Sequence, residues 1–128
     1  MSIEVLEKWH SLVKSKNVEG LGSILAEDPV FHSSVVHTSQ VGKAVTEKYL
    51  AAAFMTLFND SFNYVREIVG EQEAKLETVV ELDGNHVNGV EIIKWNENNK
   101  IADFKVRVWP LKAINAIRER MVQGLKSV

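Results

Sequence analysis

Glu91 is the residue whose surroundings sit worst with its chemistry. Val87, Gly89, Glu91, Ile93 and Trp95 recur at every second position, and Glu91 is the one ionisable member of that otherwise apolar row. In a strand, alternate residues share a face, so this pattern aims a carboxylate into apolar surroundings. Burial there disfavours the charged form, which raises the pKa and makes the group a proton donor or a poised base. The other row, His86, Asn88, Val90, Ile92 and Lys94, is only half polar. A bulge or a one-residue change of register would instead place Glu91 at the surface.

Two histidines join Glu91 as candidate catalytic groups. His32 and His37 flank a short extended stretch, and an imidazole titrates close enough to neutrality to serve as acid or base. The alternative is a structural, hydrogen-bonding role. A metal site is not expected, because zinc needs three or four converging ligands and the sequence nominates no others. His10 and His86 read as surface residues. Arg66 alternates with Phe62, Tyr64 and Ile68, which read as buried. Facing inward, Arg66 would pair with Glu91, keep it ionised and turn an acid into a base or anchor. Facing outward, it is a surface arginine on an edge strand.

The composition bounds what can hold these groups. The chain has 128 residues, 45% hydrophobic and 25% charged, with a formal net charge of −2 and no cysteine. One domain over residues 1–128 is expected, large enough to close a core and leave room for a pocket. Disulfides, thiolate metal sites and a cysteine nucleophile are excluded. The charge gives no pull toward nucleic acid, and no apolar run approaches the roughly 20 residues of a membrane span. Met1-Ser2-Ile3-Glu4 lacks the basic and apolar regions of a signal peptide, so a cytoplasmic location is expected. Without a glycine-rich phosphate loop, a nucleophile elbow or a basic aromatic stripe, no cofactor, nucleic-acid or membrane partner is expected.

The elements follow from periodicity. Ile3, Leu6, Trp9 and Val13 form a helical stripe that Ser2 can cap. Val18, Leu21, Ile24 and Leu25 predict a second, short helix ended by Glu27-Asp28-Pro29. Val30 to His37 is extended, with a break at Ser33-Ser34. Thr38 or Ser39 caps a third helix through Val45, Tyr49, Ala52, Ala53 and Leu57, in which Ala51-Ala52-Ala53 is a close-packing face. The period then falls to two, predicting strands over Phe62 to Val69, Ala74 to Leu82, His86 to Trp95 and Ile101 to Trp109 as a meander. Leu76, Thr78, Val80 and Leu82 share an apolar face with Ala102, Phe104, Val106 and Val108. Charges collect on the opposite face, interrupted by Val79, Val90, Ile92 and Trp109. Pro110 opens a closing helix with Leu111, Ile114, Ile117, Met121 and Leu125 as its stripe. The whole is α+β, with helices on one face of a curved sheet.

That layout resembles a known superfamily. Lys8-Trp9-His10, Asn17-Val18-Glu19-Gly20-Leu21, Val30-Phe31-His32-Ser33, Gly42, Gly89 to Trp95, Lys100 to Phe104 and Pro110 are similar to the nuclear-transport-factor-two-like superfamily. Its members include SnoaL-like polyketide cyclases, ketosteroid isomerases and limonene-epoxide-hydrolase-like enzymes. The resemblance implies a cystatin-like α+β cone, in which a curved antiparallel β-sheet wraps around three N-terminal helices with a short C-terminal helix. It also implies a pocket in the mouth and a homodimer through the sheet face. A ketosteroid isomerase uses a basic aspartate, with an oxyanion hole made by a tyrosine and a protonated aspartic acid. By position these fall on Ser33, Trp9 and Glu91. Only Glu91 keeps its chemistry, since indole has no ionisable hydroxyl and serine is no general base unaided. The acid, arginine, acid arrangement of the epoxide-hydrolase-like relatives suggests Arg66 beside Glu91, but a second inward acid is missing.

Two functions are expected from this. The first is a small-molecule pocket lined by Trp9, Phe31, Ser33, Tyr49, Arg66 and Phe104 beside Glu91. It would bind a mostly apolar carbonyl or hydroxyl compound, as an acid-base enzyme of the isomerase, cyclase or hydratase kind. The alternative is a non-catalytic dimeric binding or protein-interaction module whose working surface is the charged and partly apolar sheet face.

Overall fold

The structure is a computed structural model that describes residues 4–33 and 38–127, so Ser2, Ile3, Ser34 and His37 lie outside the described residues. The first helix, α1 (Glu4–Ser15), buries Val5, Leu6, Trp9 and Val13 at the predicted spacing. Asn17 then caps a 3-10 turn (Val18–Ser23) by accepting from the Gly20 N–H. Here the sequence expectation needs correction. Leu25 does not continue a helix but begins strand β1 (Leu25–His32), which runs through Pro29. Ile24 and Leu25 are both buried, and the Ile101 N–H donates to the Ile24 carbonyl at 2.7 Å. Pairing with a distant strand therefore overrides the local helical spacing, and a register irregularity between Leu25 and Val30 absorbs the proline.

The short strand β2 (Gln40–Val41) returns along β1 and uses residues that were expected to lead into the next helix. That helix, α2 (Lys43–Thr56), starts later than predicted, with Gly42 rather than Thr38 or Ser39 at its cap. Gly42 has a φ of 118°, a conformation that side chains resist. The remaining strands agree with the alternation to within a residue: β3 (Asn63–Val69), β4 (Glu73–Leu82), β5 (Asn85–Trp95) and β6 (Ile101–Trp109). Asp83 and Gly84, with φ of 52° and 80°, make the tight turn between β4 and β5. Helix α3 (Leu111–Ser127) closes the chain after Pro110.

The six strands form one curved, unclosed sheet in the order β2-β1-β6-β5-β4-β3. All neighbours are antiparallel except β1 and β6, which run parallel and so break the expected purely antiparallel pattern. The N-terminal helices cover the inner face. The alanines of α2 pack against α3, where a Cβ on Gly124 would lie 3.0 Å from the Ala52 Cβ. One buried cluster joins α1, the 3-10 turn, α2 and the sheet; a second joins α2, α3 and the β4–β5 hairpin. The space between them becomes the cavity.

Candidate functional site

Glu91 projects from the inner face of β5, between its ladder partners Leu76 on β4 and Val106 on β6. It is 5% exposed, in a row where Val87, Ile93 and Trp95 are also buried. Trp9 reaches it from α1, held by the tilted rings of Phe54 and Phe104 at separations of 5.5 and 5.0 Å. Tyr64 reaches it from β3, opposite Thr78, which in turn faces Gly89. Because Glu91 pairs with Leu76, two positions from Thr78, the tyrosine reaches the carboxyl group diagonally across β4.

The three groups form a directional network. Tyr64 Oη lies 2.9 Å from Glu91 Oε1, and Trp9 Nε1 lies 2.9 Å from Tyr64 Oη and 3.3 Å from Glu91 Oε1. Indole can only donate, so the Tyr64 oxygen accepts from Trp9 and its own proton points to Oε1. Oε1 is thereby an acceptor only, and the proton of a neutral Glu91 sits on Oε2. Among the described residues no hydrogen bond reaches Oε2, so that oxygen is available to a molecule in the cavity.

Burial pushes the Glu91 carboxyl up from 4.5 to about 7, with the Tyr64 and Trp9 hydrogen bonds opposing the rise. The Tyr64 hydroxyl is held well above its ordinary value, first by burial and then by the charge of Glu91. The network therefore titrates at the carboxyl group and not at the phenol. The cavity it borders is about 80 Å³, and among the described residues Glu91 is the one ionisable member of its lining. Phe31, Phe58, Phe62 and Phe104 supply aromatic walls, while Ile117 and Met121 of α3 close one side.

The sequence matches no protein-family model and no curated protein. Solved structures are informative. A steroid delta-isomerase from Pseudomonas aeruginosa superposes with a TM-score of 0.90 at 28% identity, covering 96% of this chain and 90% of that one. An nuclear-transport-factor-two-like protein of unknown function from Mesorhizobium loti superposes with a TM-score of 0.72 at 17% identity, covering 84% and 89%. The chain has the nuclear-transport-factor-two-like, ketosteroid-isomerase-like fold. A protein with a cystatin-like fold from Silicibacter pomeroyi, also uncharacterized, matches at a TM-score of 0.86 and 23% identity, covering 94% and 84%.

In this chain Trp9, Phe31, Ser33, Phe104 and Glu91 all border the cavity. Tyr49 stands behind Phe31, with ring centroids 5.4 Å apart, and is not part of the lining. Arg66 requires correction. A bulge after Tyr64 sets Tyr64 against Thr78 but Arg66 against Glu77, so the alternation reverses and Arg66 faces outward. Its Nε lies 3.7 Å from Glu77 and its side chain is 72% exposed, which removes it from the pocket and from Glu91. The same bulge exposes Ile68, which alternation had placed inside. It also brings Glu67 to His10, whose ring meets Tyr64 edge-on at 4.7 Å. His32 faces away from the cavity, bonded to Asp103 and Ser39. His37 lies outside the described residues.

Tyr64 is a functional candidate whose sequence position marks it only as a buried aromatic. Its inward parity, shared with Phe62, is the available signal.

Proposed function

We propose that this chain is a small-molecule acid-base enzyme of the isomerase, cyclase or hydratase kind, with Glu91 as its proton-transfer group. The observation that supports it is a single buried carboxyl, pushed to about 7, as the ionisable lining of an apolar cavity. Near neutral pH such a group holds and releases a proton with comparable ease, as a general acid or base must. Neutral Glu91 donates from Oε2 to a carbonyl or hydroxyl oxygen of the substrate. Ionised Glu91 takes a proton back at the same oxygen, while Tyr64 and Trp9 hold Oε1 still.

Ser33 stands at the position of the basic aspartate in the ketosteroid isomerase arrangement, so that two-carboxylate mechanism does not transfer to this chain. The substrate is an apolar carbonyl or hydroxyl compound, and a compact one. A cavity of about 80 Å³ is far below the roughly 300 Å³ at which drug-sized sites begin. Turnover of small enones, epoxides and polyketide-like compounds should be lost in Glu91→Gln; turnover that survives this change refutes the role of Glu91.

The small cavity favours a second reading, a non-catalytic dimeric binding or interaction module. No turnover across that panel, with a ligand still bound, is its signature. On either reading we propose a homodimer through the outer sheet face around Val65, Ile68 and Trp109, 54%, 61% and 46% exposed, a contact that leaves the β2–β1 edge of the sheet open. Light scattering at micromolar concentration tests it, and a monomer contradicts it.

A further inference from the structure

A second cluster of reactive side chains lies on the other side of the sheet from Glu91. Phe31 and Phe104 line the cavity, so their chain neighbours His32 and Asp103 project from the outer face. His32 Nε2 lies 3.0 Å from Asp103 Oδ2, and His32 Nδ1 lies 2.8 Å from Ser39 Oγ. An ionised aspartate only accepts, which fixes the ring hydrogen on Nε2. In the neutral ring Nδ1 then carries the lone pair and accepts from the Ser39 hydroxyl.

The backbone holds this line in place. The parallel β1–β6 ladder pairs Val30 with Asp103 and His32 with Lys105, which sets the histidine beside the aspartate. The antiparallel β1–β2 pairing sets Phe31 against Gln40 and so returns Ser39 to His32. The His32 and Asp103 side chains are 25% and 32% exposed, whereas Ser39 is open to solvent. A nucleophile in hydrogen-bond reach of a base, with the base oriented by a third group, is the arrangement that activates a serine.

We propose that Ser39, His32 and Asp103 form a second reactive site, an acyl-transfer centre for small activated esters. Ser39 Oγ bonds to the ester carbonyl carbon while its proton passes to His32 Nδ1, and Asp103 stabilises the resulting imidazolium through Nε2–H. The carbon–oxygen bond to the leaving alcohol then breaks, and the alcohol departs with the proton held on Nδ1. Water repeats the sequence on the Ser39 ester, releasing the acid and restoring the serine. Because Ser39 is open to solvent and not enclosed in a pocket wall, the ester must carry a good leaving group. This site is independent of the proton chemistry assigned to Glu91.

The test uses an alkyl fluorophosphonate and p-nitrophenyl acetate on the full chain. Fluorophosphonate should add one phosphonyl group with loss of fluoride, mapped by peptide mass spectrometry to Ser39. Labelling and ester hydrolysis should vanish in Ser39→Ala and in His32→Gln, and should slow roughly tenfold or more in Asp103→Asn. Label on another residue, or labelling of His32→Gln at the wild-type rate, overturns the proposal. So does ester hydrolysis at the wild-type rate in Ser39→Ala, which would mean the imidazole acts alone. Ser39 is exposed, so Ser39→Ala keeps the fold and decides the matter even where the other variants unfold.

Discussion

Replacing Glu91 with glutamine should make the protein more stable, and only in one direction of pH. Glutamine keeps the Oε1 acceptor for Tyr64 and Trp9 but never ionises. In the wild type, the carboxyl has a folded value of about 7 against 4.5 when unfolded. Between these values the native state binds more protons than the unfolded state, so stability falls as pH rises through that window. Below 4.5 the contribution of the neutral carboxyl is fully present; above about 7 it is lost. At 1.36 kcal/mol per unit, the loss amounts to about 3 kcal/mol. Other titrating groups, including Asp83, whose carboxyl is lowered by Arg120, are common to both proteins and cancel. Urea unfolding of wild type and Glu91→Gln across this range reads the difference. The stability gap should change by about 3 kcal/mol in favour of the variant between acid and alkaline pH. Parallel curves, or a variant that gains on acidification, would refute the burial argument.

Tyr64→Phe removes a hydrogen bond that favours the ionised form of Glu91 over the neutral one and should raise the carboxyl further above its ordinary value; a carboxyl stretch followed by infrared titration measures this. Gly89→Ala places a Cβ 3.0 Å from Thr78 Oγ1 and 3.2 Å from the Arg107 carbonyl. It should cost about 1–3 kcal/mol in urea unfolding. Gly124→Leu forces α3 off Ala52 and Thr56, where even a Cβ would sit at 3.0 Å. It should lower the melting temperature and weaken ligand binding together, because Ile117 and Met121 on the same helix wall the cavity.

The sheet was legible because its rows alternate cleanly: Leu76, Thr78, Val80 and Leu82 on β4, and Val87 to Trp95 on β5, fix which side Glu91 faces. Features that depend on long-range pairing were not. Leu25 joins β1 because Ile101 lies beside it, which no local spacing encodes. The cap at Gly42 arises because Gln40 and Val41 are taken up by β1. One extra residue after Tyr64 reversed the alternation, so Arg66 and Ile68 exchanged faces relative to the pattern. The same bulge leaves Tyr64 inward, next to the carboxyl group. The pairing of His32 with Asp103 and Ser39 joins positions from two strands and the approach to a third. Only tertiary structure brings them together.

Proton transfer by this site requires a cavity-facing carboxyl at position 91 that titrates near neutral pH with its proton on Oε2. Carbon-13 NMR of glutamate side-chain carboxyls, assigned by comparison with Glu91→Gln, reads that value in the folded protein. A signal that titrates at about 7, above the ordinary 4.5, is the predicted result. A Glu91 carboxyl that titrates near 4.5 contradicts the account.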